Sequence, residues 1–370
     1  MAEKSTSRTV TVHLLTADHN LKLAVERTST FEDILVDVCE SLGIGCAARH
    51  LFALRYNRTF WAAASSKPWD YKWSEFEFRV RYRVPNPSRL WKVDPKAFDY
   101  YFSQVREDMK NGRLTDVKYD EYKKQIIGLV VTDMYREMLE KGVSEDIVLS
   151  NYTKYVPKEI LRQHIFFLKK PIQKKLMEMK KNLRFNSVNV KEAYIGEMEV
   201  IAPNYMTEEY EAEVEEADET KIAMIRVNPF HKEIPGVQYQ YVGKSEWNHI
   251  CTIEDLCYVS LRSDGSIELS RKNGIPVYLK LNSINSMISL VSLLDGYYRL
   301  SVKWTFNICK DLTTPSLERL HSLKCHGPVG GEFSYNKLEI KRECKPGCFI
   351  LRESETSYNA YYIDICTKER

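Results

Sequence analysis

The sequence predicts an α+β protein built from several lobes, and three observations carry that prediction. The chain has 370 residues, more than one compact core usually holds, so two or three domains or one many-lobed domain are expected. The hydrophobic period changes along it: alternation up to residue 84, a helical repeat from 95 to 200, and alternation again from about 205 to 281. Turn dipeptides at Asp264-Gly265 and Asn273-Gly274 mark hairpins in the last of these stretches.

In the first stretch, Thr9–Thr16 and Leu21–Val25 have strand patterns around a turn at Asp18–Asn20. Phe31, Ile34, Leu35, Val38 and Leu42 then recur at helical spacing, with Ser29 and Glu32 as a capping box and Gly43 as the stop. Leu51–Tyr56 and Phe76–Val84 return to strand character. Phe76, Phe78, Val80, Tyr82 and Val84 alternate with Glu77, Arg79, Arg81 and Arg83, which predicts a half-buried strand with a charged outer face. This order is that of a ubiquitin-like fold, stopped by Pro85-Asn86-Pro87.

The middle stretch reads as an all-helical lobe. One helix is marked by Phe98, Tyr101, Phe102, Val105 and Met109, a second by Ile126–Leu139, and others by Ile160–Met179 and Val190–Val200. In the third stretch Tyr210, Ala212 and Val214 alternate with Glu211, Glu213 and Glu215, and Pro229 and Pro235-Gly236 add turn signals. A closing helix carries Ile284, Met287, Ile288, Val291 and Leu294 on one stripe, so several strands capped by one helix predict a pleckstrin-like lobe. The predicted boundaries are 8–84, 95–204 and 205–305, then a linker at 306–324 and a last unit from Cys325 to Arg370.

Composition is that of ordinary globular protein, 44% hydrophobic and 28% charged, and a net charge of +3 gives no whole-chain argument for nucleic acid. The first ten residues are polar and lack a signal-peptide core, and no aliphatic run approaches the roughly 18 residues a membrane-spanning helix needs. Nine scattered cysteines without a signal peptide are expected to be reduced cytosolic thiols.

Ubiquitin-like, helical and pleckstrin-like lobes in that order resemble the FERM cloverleaf. Leu294-Asp295-Gly296-Tyr297-Tyr298-Arg299-Leu300 resembles its closing helix in tyrosine kinases. Cys325-His326-Gly327-Pro328-Val329, Asn336-Lys337-Leu338 and Phe349-Ile350-Leu351-Arg352-Glu353-Ser354 resemble the opening of a Src-homology-2 (SH2) domain, in the His-Gly-Pro form of Janus kinases. Arg79–Pro85, Pro203–Glu208 and Tyr358–Ile365 are similar to the insect type of that family.

The resemblance implies a FERM domain with a four-helix, acyl-CoA-binding-protein-like middle lobe, followed by the N-terminal part of an SH2-like unit. It implies a receptor-docking module without catalytic residues, cytoplasmic and held at the inner face of membranes through the tail of a cytokine-type receptor. The docking surface is expected to span the helical lobe and the SH2-like unit. ATP and magnesium are expected only for a kinase domain of a longer parent, and no cofactor for this chain. A membrane–cytoskeleton adaptor is the alternative, disfavoured because the chain enters an SH2 opening where linkers continue into a long helix.

In SH2 domains the residue matching Arg352 forms a bidentate pair with a phosphotyrosine phosphate, and Ser354 matches the start of the loop that completes the cradle. Internal satisfaction of Arg352 is the competing reading, since Glu332 falls where many SH2 domains carry a second basic contact. Lys169, Lys170, Lys174, Lys175, Lys180, Lys181 and Arg184 form a basic stretch interrupted only by Glu178. It reads either as a solvated helix face or as a surface for receptor peptide or anionic lipid. Glu208–Glu219, with eight carboxylates, reads as the exposed side of a strand and its loop.

Other chemistry is disfavoured. No glycine-rich phosphate loop, His-Arg-Asp or Asp-Phe-Gly motif of a kinase occurs. Gly43-Ile44-Gly45-Cys46 lacks the third glycine of a dinucleotide loop and follows a helix, so it reads as a turn. Cys325, His326, His321, Cys344 and Cys348 lack paired zinc-ligand spacing. The 23 tyrosines lie mostly at core spacing, which leaves no argument for base stacking.

Overall fold

The computed structural model describes residues 7–367 apart from 16–18, 115, 116, 120, 183–185, 217 and 218. Asp18, Arg184 and Asp218 therefore lie outside the described residues, as do the side chains of Glu215, Glu216 and Glu219. The chain divides into two compact units, one formed by residues 1–83 with 207–370 and the other by 84–206.

The first unit opens with β1 (Ser7–His13) and β2 (Asn20–Glu26), an antiparallel pair in which Val10 faces Leu23. Helix α1 (Phe31–Leu42) follows, then α2 (Cys46–Arg49), β3 (Phe52–Tyr56), β4 (Phe60–Trp61) and β5 (Glu75–Val80). The sheet order is β2-β1-β5-β3-β4, with β1 and β5 parallel. Phe31, Ile34, Leu35, Val38 and Cys39 of α1 are buried with Phe76 and Phe78 of β5, as their helical and alternating spacings require.

Two local expectations are corrected here. Helix α1 is capped by Thr30 with Asp33, not by Ser29 with Glu32. The Ser29 hydroxyl instead accepts from Glu26 N at 3.1 Å, which frees the Glu32 carboxylate for long-range contacts. Gly43 does end α1, in the left-handed conformation at φ 70°, and Gly45 caps α2, so the Gly-Ile-Gly segment is an inter-helix turn. Strand β5 stops at Val80, and Arg79 and Arg81 on its supposed outer face are 6% and 2% exposed. That face is covered from residues more than 100 positions away, as Arg81 shows below.

The second unit is helical: α3 (Pro87–Val93), α4 (Pro95–Lys110), α5 (Lys123–Lys141), α6 (Glu145–Ser150), α7 (Lys158–Asn182) and α8 (Ser187–Ile201). The sequence reading has no counterpart to α3, because Pro85-Asn86-Pro87 looked like a stop. The same residues start a helix: Asn86 Oδ1 accepts from Arg89 N at 3.0 Å, and Pro87 stands where its missing N–H costs nothing. Helix α5 packs against α7 and α8.

The first unit resumes with β6 (Glu208–Glu216), β7 (Glu219–Asn228), β8 (Gly236–Tyr241), β9 (Asn248–Cys251), β10 (Leu256–Leu261), β11 (Ser266–Arg271), β12 (Val277–Leu281) and helix α9 (Ile284–Ser301). These strands form one sheet in the order β10-β11-β12-β6-β7-β8-β9. Tyr210, Ala212 and Val214 are buried while Glu209, Glu211 and Glu213 are exposed. Met287, Leu290, Val291, Leu293, Leu294 and Tyr297 of α9 join the core, whereas Ile284, at the first helical position, is 65% exposed.

Residues 306–324 carry structure of their own. Ile308 and Cys309 belong to the core beneath α9, Val259 N of β10 donates to Ile308 O at 2.8 Å, and α10 (Pro315–Leu323) follows. The last part contains β13 (His326–Pro328), α11 (Gly331–Arg342), β14 (Phe349–Glu353) and β15 (Tyr361–Ile365), in the sheet order β13-β14-β15. It is fastened to the α1–α2 turn and to α2: Tyr358 donates to Ile44 O at 2.9 Å and Ala47 N to Glu355 O at 3.0 Å. One face of its sheet, with Phe349, Ile363 and Ile365, is more than half exposed.

Candidate functional site

In the helical unit α5, α7 and α8 enclose a groove of about 590 Å³, a size typical of ligand sites. Leu129, Val131, Met179, Val190 and Ala193 give it an apolar floor; Lys124, Lys175, Glu178 and Glu197 are the charged residues of its lining. Gly128 makes room for Lys175: a Cβ added at Gly128 would fall 2.9 Å from Lys175 Nζ. Sequence reasoning did not single out these floor residues. The one available signal was Gly128 itself, an isolated glycine inside an apolar helical run.

The four lysines predicted as a basic surface are all exposed on α7. Lys175 lines the groove. Lys170 and Lys174 border a separate shallow depression with Met177 and Lys181, and Lys169 lines neither. Lys180 is already paired with Glu145 at 2.7 Å. Phe167 and Met177, 77% and 44% exposed, share the helical face of Lys170, Lys174 and Lys181 by their spacing of three and four.

Arg352 sits near the end of β14, as its sequence context predicts, and is 8% exposed. Its Nε donates to Asp364 Oδ2 at 2.7 Å and its Nη1 to Val329 O at 3.0 Å, with the guanidinium 4.7 Å from the Tyr362 ring centre. The hydrogen bond from Arg352 holds the Asp364 carboxyl below its usual range. Ser354 Oγ accepts from Thr356 N at 3.3 Å and Ser357 N at 3.0 Å, closing its own loop. Glu332 is exposed in the first turn of α11. Asp364 and Val329 O thus take the Nε and one Nη1 donor of the guanidinium.

Among the described residues, no group of three or more His, Cys, Asp or Glu is placed to hold a metal ion, and no helix is long and apolar enough to cross a membrane.

The class of fold is settled by comparison with solved structures. The FERM and C-terminal domain complex of Drosophila Merlin matches with a TM-score of 0.56 at 14% identity, over 79% of this chain and 96% of that one. The MyTH4-FERM MF2 domain of Dictyostelium discoideum myosin VII matches with a TM-score of 0.56 at 15% identity, over 78% and 58% of the two chains. The fold is that of FERM domains, mixed α/β with several sheets and an SH2-like unit.

Sequence comparison points to one family of relatives. Residues 204–304 match the family model described as the Jak1 pleckstrin homology-like domain. Tyrosine-protein kinase hopscotch of Drosophila melanogaster is 27% identical over an alignment of 415 residues, covering 91% of this chain and 35% of that protein. Tyrosine-protein kinase JAK3 of Rattus norvegicus is 20% identical over 293 residues, covering 75% and 26%. Together the matches support a Janus-kinase N-terminal FERM region. The chain spans about a third or less of the length of these two relatives.

Proposed function

We propose that this chain is the receptor-docking FERM–SH2 module of a Janus-type non-receptor tyrosine kinase, and that it holds the cytoplasmic tail of a cytokine-type receptor in JAK-STAT signalling. The observation that carries the reading is the groove between α5, α7 and α8, with its apolar floor and both signs of charge in its lining. An extended tail segment would place apolar side chains against Leu129, Val131 and Val190. Lys124 and Lys175 would receive its acidic groups and Glu178 and Glu197 its basic ones, setting register.

Binding of this kind makes no covalent bond. It tethers kinases to paired receptors and so raises their effective concentration toward one another. The reading assigns no catalytic residue to this chain; ATP and magnesium belong to the kinase domain that its relatives' names imply. It places the protein in the cytoplasm, at the inner face of membranes.

The test is fluorescence anisotropy of membrane-proximal receptor-tail peptides with the full chain. K175E should weaken binding roughly tenfold, a typical cost of reversing a charge beside an apolar anchor site, while K169E should have little effect. Binding unchanged by simultaneous reversal of Lys169, Lys170, Lys174 and Lys175 would remove the role of α7. A second reading, contact with anionic lipid, is favoured by Phe167 and Met177 beside Lys170, Lys174 and Lys181. Three such lysines contribute about 3 kcal/mol near an anionic surface, so K170E/K174E/K181E should abolish sedimentation with phosphatidylserine vesicles and leave peptide binding intact.

A further inference from the structure

The first unit contains a polar cavity of its own. It has a volume of about 90 Å³, and its lining includes Arg49, His50, Arg81, Asp295, Arg299 and Trp304. The side chains come from α2, the chain after β5, α9 and the segment that follows α9, so the cavity lies where the ubiquitin-like and pleckstrin-like lobes meet.

Its hydrogen bonds do not balance. Glu32 and Asp295 each accept from donors outside the cavity, and Glu353 of β14 is a third carboxylate within reach of Arg49 and Arg299. Glu32 accepts from Ser316 N at 3.0 Å and from the Ser316 hydroxyl, and lies 3.6 Å from Arg49 Nη2. Asp295 accepts from Ile308 N at 2.9 Å and Asn307 Nδ2 at 3.4 Å. Arg81 is consumed by Glu208.

The remaining donors are in surplus. Arg49 is 8% exposed, and its Nε has no partner; its Nη2 donates to His50 Nε2 at 3.3 Å and pairs with Glu32 at 3.6 Å. Arg299, half-buried, donates its Nε to Trp304 O at 3.1 Å and has Asp295 and Glu32 as its nearest opposite charges. The buried Trp304 Nε1 is unpaired as well. His50, packed edge-on to Trp304 at 4.1 Å, is an acceptor toward Arg49 and adds no positive charge. The buried N–H donors without acceptors, Arg49 Nε and Trp304 Nε1, are costly, and an oxyanion with several lone pairs can remove that cost.

We propose that this cavity binds a small tetrahedral oxyanion of the phosphate or sulfate class, held by Arg49 and Arg299. A volume of about 90 Å³ gives room for such an ion. Because α2 and α9 belong to different lobes of the unit, the ion would cross-link them and stiffen their junction.

The test is thermal unfolding of the full chain with increasing inorganic phosphate against sodium chloride at matched ionic strength. Phosphate and sulfate should raise Tm saturably where chloride does not. R299Q should weaken phosphate affinity about tenfold or more, with R299K intermediate. Should R49Q fail to fold, selenate in crystals of the unaltered chain gives an independent readout, an anomalous peak within hydrogen-bonding distance of Arg49 and Arg299. Equal effects of phosphate and chloride, an undiminished response in R299Q, ordered water only at the site, or a response to inositol hexakisphosphate with none to phosphate would each overturn the proposal.

Discussion

Replacing Arg81 separates a surface arginine from a buried one. The side chain is 1% exposed, and its guanidinium grips both oxygens of Glu208 at 2.8 and 3.0 Å, Ser289 O at 2.7 Å and Ser292 Oγ at 2.9 Å. It also stacks 4.9 Å from the Trp61 ring centre. Burial alone would lower the pKa of this guanidinium, but Glu208 beside it more than offsets that and holds it above the ordinary value. Arg81→Met keeps the volume and removes the charge, leaving Glu208, 14% exposed, with the Tyr210 hydroxyl as its remaining support in this cluster.

Removing one partner of a buried pair costs about 3–5 kcal/mol. At about 2–4 °C per kcal/mol for a unit of this size, Tm should fall by about 6–20 °C in differential scanning fluorimetry. Glu208→Gln added to Arg81→Met should recover most of the loss, because the uncompensated charge is then gone. An arginine on a solvated strand face would move Tm by no more than about 2 °C. A fall that small, or strictly additive losses in the double variant, would refute the buried-pair argument.

Three further outcomes are expected. Burial pushes the Asp295 carboxyl up to about 6 from 3.8, so the folded state holds its proton longer than the unfolded chain and stability declines as pH rises across that window. Burial, with Arg49 and Arg299 adding to it, pushes His50 well below 6.5, so its contribution is complete above 6.5 and is lost as pH falls. The two slopes oppose each other between about pH 4 and 6. Relative to the parent chain, denaturant titrations of D295N should therefore show stability rising through that window, and those of H50Q should show it falling. Gly296→Ala places a Cβ 1.9 Å from the Tyr82 hydroxyl oxygen and 2.2 Å from its ring. It should destabilise by about 1–3 kcal/mol despite the better helix propensity of alanine, and Tyr82→Ala in the same chain should relieve the clash without further loss from that contact. Because Asp364 competes for the Arg352 Nε, a phosphotyrosine peptide should give little heat in calorimetric titration with the parent chain and measurably more with D364N, whereas equal binding by R352A would remove Arg352 from any phosphate site.

The lobes were legible because periodicity is a local property. Alternation in Tyr210–Val214, helical spacing from Phe98 to Met109 and the Asn273-Gly274 turn each follow from what adjacent residues must do to bury one face. The resemblance placed Arg352 on its strand for the same reason, since the motif is contiguous. The groove was not legible: Lys175 and Gly128 lie 47 positions apart, and only the packing of α7 on α5 brings them together.

Sequence alone thus determined the order and type of most elements and the strand that carries Arg352. Tertiary structure alone decided where each charge ends. Alternation assigned Arg81 to water, but α9 and β6 cover that side of the strand, and the partners Glu208 and Ser289 are 127 and 208 residues away. Glu32 passed from a helix cap to Ser316, and Arg352 found Asp364 on the neighbouring strand. A side chain's own neighbours in sequence set the face it occupies, whereas the partner of a buried charge is supplied by whichever distant element covers that face, and no local pattern encodes it.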